Sequence, residues 1–390
     1  MLQLRTFFLI FSFGILFASV QPVVAQEVEL VQDKVETVKA KVIEVLSEEV
    51  KTIPGTDVKS TVQTIRVRVL EGAEKDKVLT ITNDYLLLKK GETFYLTHTV
   101  NSLDGQDYYV VSEPYRLPAV IFFVVLFIVL VFVFGGIQGV RGLVSLGGSL
   151  ILIMYVLLPG ILGGYSPILM SLGVSALIII LGSYVTHGFN KTTSAAVLGM
   201  IATVFLTGLL AYIAVDVTRL TGFSNDEAIY LNFDTSGSID FVGLLLGGIL
   251  IGLLGVLYDV AIGQAISVEE LNRVAPHLSR KYIFKRAIRI GREHIGALVN
   301  TLAIAYVGVS LPLLLLYLKS SEASLGLTVN REIFATEIIR TMIGSIGLVV
   351  AVPITTAVAV WMLMKLPKEE VTAEKIAKEK EALEHAGHHH

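Results

Sequence analysis

Phe241-Val-Gly-Leu-Leu-Leu-Gly-Gly-Ile-Leu-Ile-Gly252-Leu-Leu-Gly255-Val-Leu-Tyr258-Asp259-Val-Ala-Ile-Gly263-Gln264 is an apolar run with one charged side chain. A hydrocarbon core takes about 20 helical residues, so the run reads as a transmembrane helix. Within it Gly248, Gly252, Gly255, Asp259, Gly263 and Ser267 recur at spacings of three or four. They share one helical face, of the kind that lets membrane helices approach closely. A carboxylate at this depth costs about 2.5–3.5 kcal/mol even on the mild insertion scale. Asp259 is therefore expected to face protein or a cavity, or to reach water at the cytosolic end of its span.

Working outward from this run, seven apolar spans are expected, near residues 118–135, 140–158, 166–186, 192–215, 241–264, 294–318 and 334–364. The chain is 53% hydrophobic and 17% charged over 390 residues, against roughly 25% charged in ordinary soluble domains. It reads as an integral membrane protein with the lipid bilayer as its first partner. Arg141, the 187–191 turn, the long 267–292 loop and the tail are basic, whereas Arg219 is the only basic residue of the acidic 216–240 loop. The positive-inside rule then puts the C-terminus in the cytosol and the N-terminal region outside. A net charge of −3 lacks the positive field that nucleic-acid binding requires, so nucleic acid is not an expected partner.

Residues 26–115 have a different texture, with period-two patterns such as Val38-Lys-Ala-Lys-Val-Ile-Glu-Val and Thr64-Ile-Arg-Val-Arg-Val-Leu. Turn signals at Glu71-Gly72, Asn83-Asp84, Lys90-Gly91 and Asp104-Gly105 separate further short strands. Five strands suggest a small extracytoplasmic all-β domain, OB-like, serving as a spacer or assembly module or else as a binding module. Ahead of it, Arg5, the apolar run 7–20 and Val23-Val-Ala25 read as a signal peptide over residues 1–25, or as an uncleaved anchor. Either delivers the β domain to the far side. Residues 116–366 form the membrane domain and residues 367–390 a charged cytoplasmic tail.

In the basic loop, Leu278, Tyr282, Ile283, Ala287 and Ile290 recur at helical spacing among Lys281, Lys285, Arg286 and Arg289. This predicts an amphipathic helix at the cytosolic headgroups. In the sixth span Gly296, Asn300 and Ala303 share a face, and Asn300 lies about 8 Å inside Ile295, a depth comparable with Asp259. The two are expected to meet as a polar core, with Asn300 as interhelical glue the simpler alternative. His294, just outside, is a candidate pH sensor or a solvated side chain. Pro312 is expected to interrupt its helix by displacing the Gly308 carbonyl, giving a kink or a broken-helix ion site. Glu337 and Arg340 should form a local pair.

Cysteine is absent, which removes thiolate metal sites and cysteine nucleophiles. No His-Glu-x-x-His, Gly-x-Ser-x-Gly or Walker A pattern occurs, and Tyr258-Asp259 lacks the second mid-span carboxylate of an aspartyl protease. No cofactor, metal or enzymatic activity is expected.

The run from Gly252 to Ala261, then Glu269-Glu270, Ile290-Gly-Arg292, and Asn300-Thr-Leu-Ala-Ile-Ala-Tyr306-Val-Gly308-Val-Ser-Leu-Pro312 together resemble the YibE/F-like membrane protein family. The resemblance implies a polytopic protein of the bacterial cytoplasmic membrane. It marks Asp259, Glu269, Asn300 and Pro312 as motif positions, while Tyr258 and His294 depart from the pattern expected of relatives. Two functions are expected from different classes. One is a transporter or exporter of a small molecule or ion, with Asp259, Asn300, Gly255, Glu269 and Pro312 around its path. The other is a scaffold that docks a partner protein, or a second copy, through the β domain.

Overall fold

The computed structural model describes residues 33–52, 55–102, 104–319 and 324–364. The expected signal peptide (1–25) and the charged tail (367–390) lie outside the described residues. The chain divides into two compact units at Leu126/Phe127.

The first unit holds five antiparallel strands, β1 (Lys34–Thr52), β2 (Lys59–Val69), β3 (Val78–Asn83), β4 (Thr93–Val100) and β5 (Asp107–Pro114), in the order β3-β2-β1-β4-β5. The long β1 serves two ladders, pairing β4 over Lys34–Lys41 and β2 over Ala40–Thr52. Register shifts between Val42 and Glu44 and between Val45 and Ser47 bend it, which curls the sheet into a half-barrel. The expected alternation closes its core: Val38, Ala40 and Val42 meet Ile65, Val67, Phe94, Leu96 and Val111, all buried. Gly72 (φ 87°) is required at its turn, because a Cβ there would stand 2.6 Å from Val38 Cγ1.

A charged cluster ties the β2–β3 turn to β5. Lys77 Nζ donates to Glu74 Oε1 (2.6 Å) and to the Tyr109 hydroxyl (2.9 Å), and Tyr109 donates to Glu74 Oε2 (2.7 Å). The Lys77 hydrogen bond holds the Glu74 carboxyl below the ordinary glutamate value of 4.5. A carboxyl lowered in the folded state stabilises at neutral pH, and that contribution is lost as pH falls from 4.5 through the lowered value. A soluble fragment of residues 27–114 is expected to melt cooperatively, and Glu74→Gln to flatten the acid side of its melting-temperature profile. An unfolded fragment, or an unchanged acid limb, would contradict this account.

From Leu117 onward the chain has five helices long and apolar enough to cross a membrane: α1 (Leu117–Leu162), which begins in the first unit, α2 (Pro167–His187), α3 (Lys191–Thr218), α5 (Phe241–Val274) and α9 (Glu332–Leu363). Between α3 and α5 lies the short α4 (Asp226–Asp234). The bent pair α6 (Arg280–Val309) and α7 (Leu311–Lys319) makes a sixth when counted as one, and α8 (Leu325–Asn330) is a short connector. The expected spans 118–135 and 140–158 are thus one helical stretch, interrupted at Gly136 (φ 52°, ψ −142°). No polar loop separates them, and the glycines absorb the break. A Cβ on Gly139 would lie 2.5 Å from the Val131 carbonyl oxygen, whereas eight residues of straight helix separate groups by about 12 Å. Beyond the break the stretch runs antiparallel to α2 along its length. Gln138 donates to the Thr186 carbonyl at 3.2 Å, Ser145 Oγ backs Gly182, and Met170 backs Gly160.

Small residues set the helix spacings in the bundle core. Gly199 of α3 lies against Thr355 of α9, and Gly347 of α9 against Thr207 of α3. The buried face of α5, including Leu250, Leu253, Leu257, Ala261 and Ala265, fills the space between. At the N-terminal end of α9, Glu332 Oε1 accepts from the Thr221 and Gly222 backbone N–H groups (2.8 and 2.9 Å).

The 280–292 segment departs from expectation. It does not form a separate surface helix; it is the first half of one continuous helix, α6. Its apolar stripe is used by the bundle, since Ile283, Ala287 and Gly291 are buried and Arg280 donates to the Met364 carbonyl at the end of α9.

Candidate intramembrane site

The glycine face of α5 is open. Gly248, Gly252, Gly255, Asp259 and Gly263 are all exposed, although the sequence suggests a seam for close packing. A Cβ at Gly248, Gly255 or Gly263 would meet nothing within 4 Å, and one at Gly252 would meet the Tyr306 hydroxyl at 3.0 Å. On one side stands α6, represented by Tyr306. On the other stands α2, where the Tyr258 hydroxyl donates to the Gly182 carbonyl at 3.1 Å and Gly247 backs on Ser171. The face is therefore the floor of a trough between α2 and α6, with Asp259 on it.

Helix contacts give the levels along this trough. Gly252 is opposite Tyr306, and Gln264 is opposite Gly291, so α5 and α6 run antiparallel. Interpolation puts Asp259 opposite residue 297, within about a turn of Asn300. The depths match the expectation, but the faces do not. Asn300 is six residues from Tyr306, about 120° around the helix. Asp259 and Asn300 are both exposed, and no hydrogen bond joins them. The group that does share the Tyr306 strip is Arg292, two heptads below it, about 40° around the helix. It lies near the level of Gly263, one turn from Asp259. The sequence presents Arg292 as a loop charge and as part of the Ile290-Gly-Arg292 motif, and the 292–299–306 heptad is the signal that connects it to the span.

The expected Glu337–Arg340 pair of α9 forms at 3.1 Å. Pro312 follows a 62° break between α6 and α7 at Ser310, in keeping with its missing N–H. Gly255 is on the floor, and Glu269 is exposed near the inner end of α5, beside a Glu270–Arg273 pair at 2.6 Å. His294 is exposed on α6, as are Lys281, Lys285 and Arg289, while Arg286 is half-buried and donates to the Tyr282 hydroxyl (2.7 and 3.1 Å).

Sequence reasoning did not single out the buried polar contact beneath the trough. Gln264 is 1% exposed and accepts from Thr356 Oγ1 at 3.0 Å, one turn beyond Pro353, whose missing N–H frees the Val349 carbonyl of α9. Among the described residues, no group of three or more His, Asp or Glu is placed to hold a metal ion.

Comparison with known proteins matches residues 123–365 to the family described as YibE/F-like protein, and the chain belongs to that family. No curated protein matches, and no solved structure does.

Proposed function

We propose that this YibE/F-like protein is a multi-pass membrane transporter whose path follows the trough between α2 and α6. The observation that carries the proposal is Asp259, a carboxylate with no hydrogen bond or ion pair among the described residues, on an open glycine floor. Lipid tails offer it no hydrogen bond, at a cost of about 2.5–3.5 kcal/mol or more, so water or a solute must occupy the trough. The glycines give that path its width. Arg292 lies toward its inner mouth, and Tyr306 borders it toward the outer end. With no nucleotide motif in the chain, an ion gradient or a separate ATPase supplies the driving force.

In this reading α1 is a hairpin that reverses at Gly136 and supplies two spans. Seven spans result, with the β domain outside and the tail in the cytosol. The order β3-β2-β1-β4-β5, with a long β1 shared by two ladders, supports an OB-like β domain. In a chain without cysteine, single cysteines report topology directly. Ser102→Cys and Asn225→Cys are expected to react with an impermeant thiol reagent on intact cells, and His277→Cys only after the cells are opened. Labelling of His277→Cys from outside would overturn the topology.

The path is tested the same way. Gly255→Cys adds a side chain into open space and is expected to react with a charged methanethiosulfonate reagent in inside-out vesicles. Phe205→Cys, on the exposed face of α3, should stay unmodified. An inert Gly255→Cys would mean that the trough faces lipid and carries no solute.

A further inference from the structure

We infer that the inner half of α6 is a binding surface for the phosphate headgroups of anionic phospholipids. Lys281, Lys285, Arg289 and Arg292 are exposed at steps of four, four and three residues, forming one row. Lys281, Lys285 and Arg289 point away from the buried positions of this segment, Ile283, Ala287 and Gly291, and Arg292 ends the row on the strip that borders the trough. None of the four forms an ion pair among the described residues. Arg280 and Arg286 are already engaged, with the Met364 carbonyl and the Tyr282 hydroxyl. The nearby acids are Glu293 on α6 and Glu269 and Glu270 on α5, the last of which is paired with Arg273.

The depth of the row is what calls for a ligand. Arg280 meets Met364 and Gly291 meets Val352, so α6 from 280 to 291 runs beside the last turns of α9. That part of α9, Val352-Pro-Ile-Thr-Thr-Ala-Val-Ala-Val-Trp-Met-Leu363, carries no charge, and it is the inner end of a membrane-spanning helix. Arg292 thus stands about 18 Å along the helix from the level of Met364, farther than a snorkelling side chain reaches. Cations so placed and turned toward the bilayer need anions that approach from the bilayer. Phosphodiester headgroups fit, since arginine forks bind phosphate oxygens bidentately, and each basic residue near an anionic surface adds about 1 kcal/mol. Headgroups drawn up the row bring their hydration with them and carry water to the inner mouth of the trough. This surface goes beyond the transport reading and stands or falls separately from it.

The test uses the delipidated full chain in detergent, titrated with the anionic lipid POPG, with zwitterionic POPC and with inorganic phosphate, and followed by native mass spectrometry and by melting temperature. POPG is expected to bind and to raise the melting temperature, and POPC and phosphate to do neither. Replacing Lys285, Arg289 and Arg292 together by Gln should weaken POPG binding roughly a hundredfold, while Arg289→Lys with Arg292→Lys should retain most of it. Undiminished POPG binding by the triple variant would overturn the inference, and so would displacement of the lipid by phosphate at equal concentration. Binding that appears only after residues 367–390 are removed would also overturn it, by showing that the row is occupied by the chain's own tail.

Discussion

Gly199→Leu is expected to abolish the folded membrane unit. A Cβ at this position would stand 2.6 Å from Thr355 Oγ1, 2.8 Å from its Cα and 2.9 Å from its Cβ. Two of these atoms belong to the rigid part of α9, so no rotamer change relieves the clash, and the helices themselves must separate. Separation also loosens Gly347 against Thr207 and the Thr356–Gln264 hydrogen bond. Overpacking costs about 1–3 kcal/mol where side chains can adjust, and more where backbone must move. Expression with a fluorescent tag and size-exclusion profiling should show little monodisperse protein for Gly199→Leu and a lowered melting temperature for Gly199→Ala. Gly248→Ala and Gly255→Ala, which add a methyl group to open space, should behave as wild type. A stable Gly199→Leu protein would mean that the α3–α9 distance is set elsewhere.

The contrast between these glycines marks how far the sequence can be read. Period-two alternation gave all five strands, because a strand's pattern reports directly on the one face it buries. Apolar length located the membrane helices for the same reason. Glycine spacing, however, says only that a face is smooth. A glycine stands in a membrane helix at Gly199, where a neighbouring helix is pressed against it, and at Gly255, where a Cβ would meet nothing within 4 Å. Which face meets which neighbour is decided by the packing of several helices at once, and this is why matching depth and face pattern could not say whether Asn300 meets Asp259. The 280–292 segment has a similar lesson. Its apolar stripe fits an interfacial helix and a bundle-packed one equally well, and only the position of α9 decides between them. At Gly136 a missing polar loop left the boundary of two expected spans inside one helical stretch.

Asp259→Asn is expected to leave the protein folded and to eliminate the proposed transport. The structural half follows from exposure: the carboxylate has no hydrogen bond to lose, and an amide is cheaper to keep at membrane depth than a charge. Melting temperature in detergent should therefore stay level or rise slightly. The functional half follows from chemistry. An ionised carboxylate can attract a cation, or take up and release a proton, whereas an amide of the same shape does neither. Ion or proton flux in proteoliposomes should fall to background for Asp259→Asn and persist in part for Asp259→Glu. Asn300→Leu separates this account from the glue reading. Among the described residues the Asn300 side chain makes no hydrogen bond, and it stands about 120° from the strip that borders the floor, so its replacement should change neither stability nor flux, whereas an interhelical adhesive would show a lowered melting temperature. A fully active Asp259→Asn protein would remove Asp259 from the path, leaving the open glycine floor as a surface for a second helix to cover.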